Sequence, residues 1–188
     1  MKRITSGGRR ADVAAQLSDR TDGRYPDLTI RYGRRQFSHG PPPRGSAERD
    51  QQGLKAAIAS MRRQTSSRVF LGGHSYGGRQ ASMLAAAEPD LVDRLLLLSY
   101  PLHPPRRPDQ LRTAHFARLQ TSAMFVHGIR DPFGSIDELT AALKLIPAPT
   151  ELLPIPSAGH ELLTKQNRDD LPKKIADAFR LFASTSTL

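Results

Sequence analysis

The chain has 188 residues, of which 24% are charged and 38% hydrophobic, enough for one domain, 1–188, with a substantial core. It contains no cysteine, which excludes disulfides, thiolate metal sites and cysteine nucleophiles and fits a reducing compartment. A net charge of +10 raises the question of nucleic acid. The basic residues are scattered in short pairs (Arg9-Arg10, Arg34-Arg35, Arg62-Arg63, Arg106-Arg107), aromatics are few, and no RNA- or DNA-binding motif accompanies them. We therefore read a basic surface without a specific ligand, and keep nucleic-acid association through it as a third, weaker reading. No apolar run approaches the length of a membrane span. The start, Met1-Lys2-Arg3-Ile4-Thr5, is basic but lacks the apolar stretch of a signal peptide, so the expected location is the cytoplasm.

In chain order, residues 1–36 are the least regular part, atypical, and read as truncated or poorly ordered. Within them 11–17 suit a short helix, and 28–32 alternate like a strand. Residues 37–46, with Gly40-Pro41-Pro42-Pro43 and Gly45, form a loop by composition. Ser46 is placed to cap a helix reaching 63, with Leu54, Ala57, Ile58 and Met61 on one face. A strand over 68–71 follows, then Gly73-His74-Ser75-Tyr76-Gly77, then a helix over 75–87 stopped by Pro89. Residues 94–99 are apolar without alternation, the mark of a parallel strand buried on both faces. After a proline-rich connection at 101–108 come a strand over 123–127, a helix over 135–145, a strand over 150–155 and a helix over 171–182. In that last helix Ile175, Phe179 and Phe182 share the apolar face. Strands alternating with helices predict an α/β fold in three layers, with a mainly parallel sheet and helices on both faces.

The chemistry centres on the G-x-S-x-G run. A strand that turns sharply into a helix at such a pentapeptide exposes its serine at the turn, a nucleophile elbow. Side chains at 73 and 77 are expected to collide with the neighbouring backbone, which explains both glycines. Two further residues lie just beyond the ends of predicted strands: Asp131 in Gly128-Ile129-Arg130-Asp131-Pro132, and His160 in Ser157-Ala158-Gly159-His160. The carboxyl ends of parallel strands share one edge, so Ser75, Asp131 and His160 are expected to meet there. Serine needs a base to remove its proton, and His160 is the candidate. Asp131 would accept the other ring N–H and stabilise the imidazolium. The backbone N–H of Tyr76 offers one oxyanion donor.

These segments together resemble the α/β-hydrolase superfamily, which supplies nucleophile, acid and base in this chain order. Within it, the runs 72–80 and 125–134, the pair Gly159-His160 and the loop 41–50 are similar to a small, lidless, dienelactone-hydrolase-like group. That group includes the hydrolase-like domains of a testis-expressed protein and of a subunit of the NSL histone acetyltransferase complex. The similarity spans about residues 28 to 183 and implies ester or thioester hydrolysis. True dienelactone hydrolases use cysteine where this chain has Ser75. Family members normally begin with two or more strands and a His-Gly or Gly-Gly loop carrying the second oxyanion donor. Here only Ser6-Gly7-Gly8 suits that role, so Gly7 is the candidate and the N-terminal strands are shortened or missing.

The remaining histidines carry less. His74 and His127 are read as structural hydrogen-bonders, and His39, His103 and His115 have no metal-ligand spacing, so no metal is expected. The glycines around Ser75 match neither a phosphate-binding loop nor a dinucleotide fingerprint, so no cofactor is expected. Arg79 and Arg106-Arg107 suit either an acidic substrate or a solvated surface, with solvation favoured. The expected function is a serine hydrolase of carboxylesterase or thioesterase type acting on a small-molecule ester or thioester. The alternative is a noncatalytic interaction module that keeps the fold.

Overall fold

The computed structural model describes residues 46–64 and 66–185. The expected helix at 11–17, strand at 28–32 and oxyanion candidate Gly7 lie outside them. The described residues fall into two compact units, 46–162 and 163–185.

The larger unit holds four strands: β1 (Phe70–His74), β2 (Arg94–Leu98), β3 (Ala123–Gly128) and β4 (Thr150–Ile155). They pair in parallel in the order β1-β2-β3-β4. Helix α1 (Ser46–Gln64) precedes β1, α2 (Tyr76–Ala87) joins β1 to β2, and α3 (Ile136–Leu143) joins β3 to β4. Each connection moves to the next strand in the same direction, and right-handed crossovers then set α2 and α3 on one face. This is the α/β fold with a parallel sheet that the alternation of patterns predicts.

The central strands owe their position to their side chains. Leu95 and Leu97 of β2 and Ala123, Met124, Phe125 and Val126 of β3 have no exposed surface. Burying a leucine or phenylalanine side chain stabilises by about 1.5–3 kcal/mol, so such a run settles only where both faces are covered. Tyr100 and Phe116 pack edge-on and tilted against Phe125 and each other, with centroids 5.4–6.3 Å apart. Helix α1 meets α2 through an amide bond of 3.0 Å from Gln51 to Gln80 and an ion pair of 2.7 Å between Lys55 and Glu88.

Two of the boundary differences from the expectation have a visible cause. β1 runs on through Gly72 and Gly73 to His74, where the sequence reading ended the strand at 71. The glycines continue the ladder because β2 lies so close: a Cβ at Gly72 would stand 2.8 Å from the Leu96 carbonyl oxygen. At the other place, α3 begins one residue later than expected because Ser135 is its cap, and it ends at Leu143 in tighter turns closed by Leu145 N–H to Ala142 and Ile146 N–H to Leu143.

The smaller unit contains α4 (Leu171–Ser184), with Ile175, Ala176, Phe179 and Phe182 buried and Lys173, Asp177 and Arg180 linked by ion pairs of 3.2 and 2.9 Å. Among the described residues, no helix is long and apolar enough to cross a membrane.

Candidate active site

Ser75 stands between β1 and α2 with φ 54° and ψ −120°, a left-handed conformation rare for a residue with a side chain. Such a backbone costs about 1–3 kcal/mol and persists only where its surroundings hold it. Here the Ser75 N–H donates to the Leu98 carbonyl at 2.8 Å, carrying the β1–β2 ladder one residue past the strand. The Ser75 carbonyl then accepts from the Arg79 N–H at 3.0 Å, the first bond of the helix. The serine is gripped by sheet on one side and helix on the other.

The two glycines of the pentapeptide play different parts. A Cβ at Gly73 would lie 2.5 Å from the Gly77 carbonyl carbon and 2.6 Å from the Gly78 nitrogen, so the strand end and the helix start touch through their backbones. A Cβ at Gly78 would in turn stand 2.7 Å from the Gly73 carbonyl oxygen. A Cβ at Gly77 would meet nothing within 4 Å. The expected collision at 77 is therefore absent: the close contact is made by the Gly77 backbone, and Gly73 with Gly78 are the positions that exclude a side chain.

A second close approach organises the opposite side. A Cβ at Gly128, the last residue of β3, would lie 2.5 Å from the Gly159 carbonyl oxygen and 2.6 Å from that of Ala158. The loops after β3 and β4 are thus pressed together, and the Arg130 N–H donates to the Ala158 carbonyl at 2.9 Å across the gap. Asp131 follows in a turn, its N–H bonded to the Gly128 carbonyl at 3.1 Å, and its Oδ1 accepts the Phe133 N–H at 2.9 Å. The Arg130 side chain also donates to the Ser157 carbonyl.

His160 lies between the two halves. Its Nδ1 is 2.9 Å from Asp131 Oδ2 and 3.1 Å from Oδ1, and its Nε2 is 2.7 Å from Ser75 Oγ. The structure thus brings Ser75, Asp131 and His160 together, with the carboxylate and the hydroxyl on opposite ring nitrogens. An aspartate oxygen only accepts, so Nδ1 carries the proton and Nε2 faces the serine hydroxyl as an acceptor. The Asp131 side chain is wholly buried, while that of His160 stays 17% exposed, leaving the imidazole accessible from one side. Tyr76, directly after the serine, is the first residue of α2, where backbone N–H groups lack intrahelical acceptors. Its phenol donates to Asp50 of α1 at 3.0 Å.

Supporting contacts surround the imidazole. His74 Nε2 donates to the His160 carbonyl at 2.7 Å, and the two rings meet edge-on at 5.1 Å. The Phe133 ring packs on His160 at 4.3 Å with a tilt of 37°. His127, fully buried, donates from Nε2 to the Gly134 carbonyl at 2.8 Å, with Asp131 Oδ2 3.7 Å away. The structural reading of His74 and His127 fits these bonds. Phe133 was not singled out in the sequence; its place two residues after Asp131, across a proline, was the available signal. Among the described residues, no group of three or more His, Asp and Glu side chains is arranged to hold a metal ion.

The same fold occurs in solved structures. Paleococcus ferrophilus monoacylglycerol lipase is similar with a TM-score of 0.59 and 13% identity, over 73% of this chain and 76% of that one. An alpha-beta serine hydrolase homologue from Coxiella burnetii gives 0.58 and 18%, over 77% and 65%. Dienelactone hydrolase from Anabaena variabilis gives 0.56 and 21%, over 72% and 58%. This chain spans less than two thirds of the length of the last two. A family model described as an alpha/beta hydrolase domain matches residues 28–185. The chain belongs to the alpha/beta hydrolase domain family.

Proposed function

We propose that the protein is a serine hydrolase that cleaves a small ester or thioester, with Ser75 as nucleophile, His160 as base and Asp131 as its partner. The observation that carries this reading is the His160 imidazole lying 2.7 Å from Ser75 Oγ and 2.9 Å from Asp131 Oδ2. His160 Nε2 takes the hydroxyl proton as Oγ bonds to the substrate carbonyl carbon. The carbonyl π electrons move to oxygen, and the Tyr76 N–H stabilises that oxyanion. When the tetrahedral adduct collapses, the C–O or C–S bond breaks and the leaving alkoxide or thiolate takes the proton from His160. Water then attacks the acyl-enzyme by the same route, releasing the acid and restoring Ser75. Asp131 holds the Nδ1–H tautomer and stabilises the imidazolium formed twice in the cycle.

The names of structural neighbours, a lipase and a dienelactone hydrolase among them, support an ester as the substrate class. The absence of cysteine supports a reducing compartment such as the cytoplasm. Reaction with a fluorophosphonate probe tests the proposal. Labelling of the purified protein that vanishes in Ser75→Ala and drops by at least about 100-fold in rate in His160→Ala is the expected result. A folded protein that takes no label would refute the activated serine and favour the noncatalytic module.

A further inference from the structure

Ser75, Arg79 and Ser82 follow one another at spacings of four and three residues, which sets them along one face of the start of α2. That face is covered by the segment after β2. The Ser82 hydroxyl donates to the Arg79 carbonyl at 3.0 Å and stands 2.8 Å from His115 Nε2. Arg79 follows Ser75 by about one helical turn, roughly 6 Å of rise, and its carbonyl is tied through Ser82 to the 100–115 segment. Its Nε is buried and has no hydrogen-bond partner among the described residues.

Arg112 lies on the same 100–115 segment, and the charge of Arg79 acts on it. Arg112 is fixed over the connection after β2: its N–H donates to the Leu102 carbonyl at 2.8 Å, its carbonyl accepts from the Tyr100 hydroxyl at 2.7 Å, and its Nη1 donates to the Pro101 carbonyl at 3.3 Å. Among the described residues, no carboxylate forms an ion pair with Arg79 or Arg112. Burial, and then the charge of Arg79, hold Arg112 below the ordinary arginine range. Burial, and then Arg79 again, depress His115 to about 4. Two cations thus act on one another, and among the described residues no carboxylate pairs with either. A buried charge without a partner is costly, and a guanidinium offers a planar fork of donors suited to a carboxylate or phosphate.

We infer that Arg79 and Arg112 form an anion subsite beside Ser75, so that the ester or thioester this protein hydrolyses carries a carboxylate or phosphate group near its scissile carbonyl. This deepens the hydrolase reading and rests on it for the word hydrolyses, while the anion subsite itself does not.

Two measurements separate the parts. In the first, kcat/KM is compared for the para-nitrophenyl monoester of glutarate and for its neutral methyl ester. The anionic ester is expected to be favoured by at least about tenfold, the range of a hydrogen bond to a charged group. That ratio should fall toward one in Arg79→Gln and in Arg112→Gln, recover in part in Arg79→Lys, and hold in Arg107→Gln, which alters an exposed arginine. A ratio of one or below in the parent protein would overturn the subsite and leave the hydrolase standing. In the second, Ser75→Ala protein is titrated with glutarate and with inorganic phosphate by calorimetry. Saturable binding of either, lost when Arg79→Gln is added, supports the subsite even if no ester is cleaved, and the anion that binds names the chemistry. Binding of neither overturns it.

Discussion

At the scale of single residues, the elbow separates two glycines that the pentapeptide pattern treats alike. A methyl group at 73 would drive into the Gly77 and Gly78 backbone, atoms that cannot move without breaking the strand-to-helix junction. We expect Gly73→Ala to destabilise the fold by at least about 2 kcal/mol, the cost of forced overpacking. Gly77→Ala meets open space and should lie within about 1 kcal/mol of the parent, on the stable side if alanine's helix propensity counts. Urea titrations of the two variants check the contrast. Ser75, Asp131 and His160 were legible in the sequence because each sits in a short local pattern at a predicted strand end. Arg112 and Phe133 were not, because loop packing between distant segments puts them where they are. The role assigned to Gly77 failed for a related reason: the pattern shows that a junction is tight, while the coordinates show which atoms make it so.

At the scale of elements, the buried strands were the most readable feature, since uninterrupted leucines at 95–98 admit few environments other than the middle of a parallel sheet. Glycine at a strand end is less readable. It signals a break in isolation, yet Gly72 and Gly73 continue β1 because their lack of side chains admits β2 and α2. Helix α3 shows a signal left unused: Ser135 and Glu138 stand three apart, the capping-box spacing. Ser135 Oγ accepts the Glu138 N–H at 3.2 Å while Glu138 Oε2 accepts the Ser135 N–H at 2.8 Å. The backbone bond from Ser135, then that from its hydroxyl, hold the Glu138 carboxyl below its usual range. Ser135→Ala should cost about 1 kcal/mol by thermal or urea unfolding.

At the scale of the whole molecule, stability should depend on a ring that takes no part in the proposed chemistry. His115 is buried against Phe116 and bonded to Ser82, and burial, then Arg79 and Arg118, lower its pKa from 6.5 to about 4. The unfolded chain therefore binds a proton at this residue at a pH where the folded one does not. The contribution is complete above pH 6.5 and is lost as pH falls through about 4, up to about 3 kcal/mol in all. Urea unfolding from pH 7 to pH 4.5 should show a shallower fall for His115→Gln than for the parent, and equal slopes would remove His115 as the cause.

The sheet has one further property that belongs to the chain as it forms. Every pair among the described strands is parallel, and partners such as Phe70 and Arg94, Leu95 and Ala123, or Ala123 and Thr150 are roughly two dozen residues or more apart. No hairpin joins the described strands, and each of their pairings closes a long loop before its bonds form, the topology of a slow folder. The serine follows the first of these strands, the aspartate the third and the histidine the fourth. Their meeting thus waits on every crossover between them, and a nascent or partly folded chain carries the hydroxyl without its imidazole.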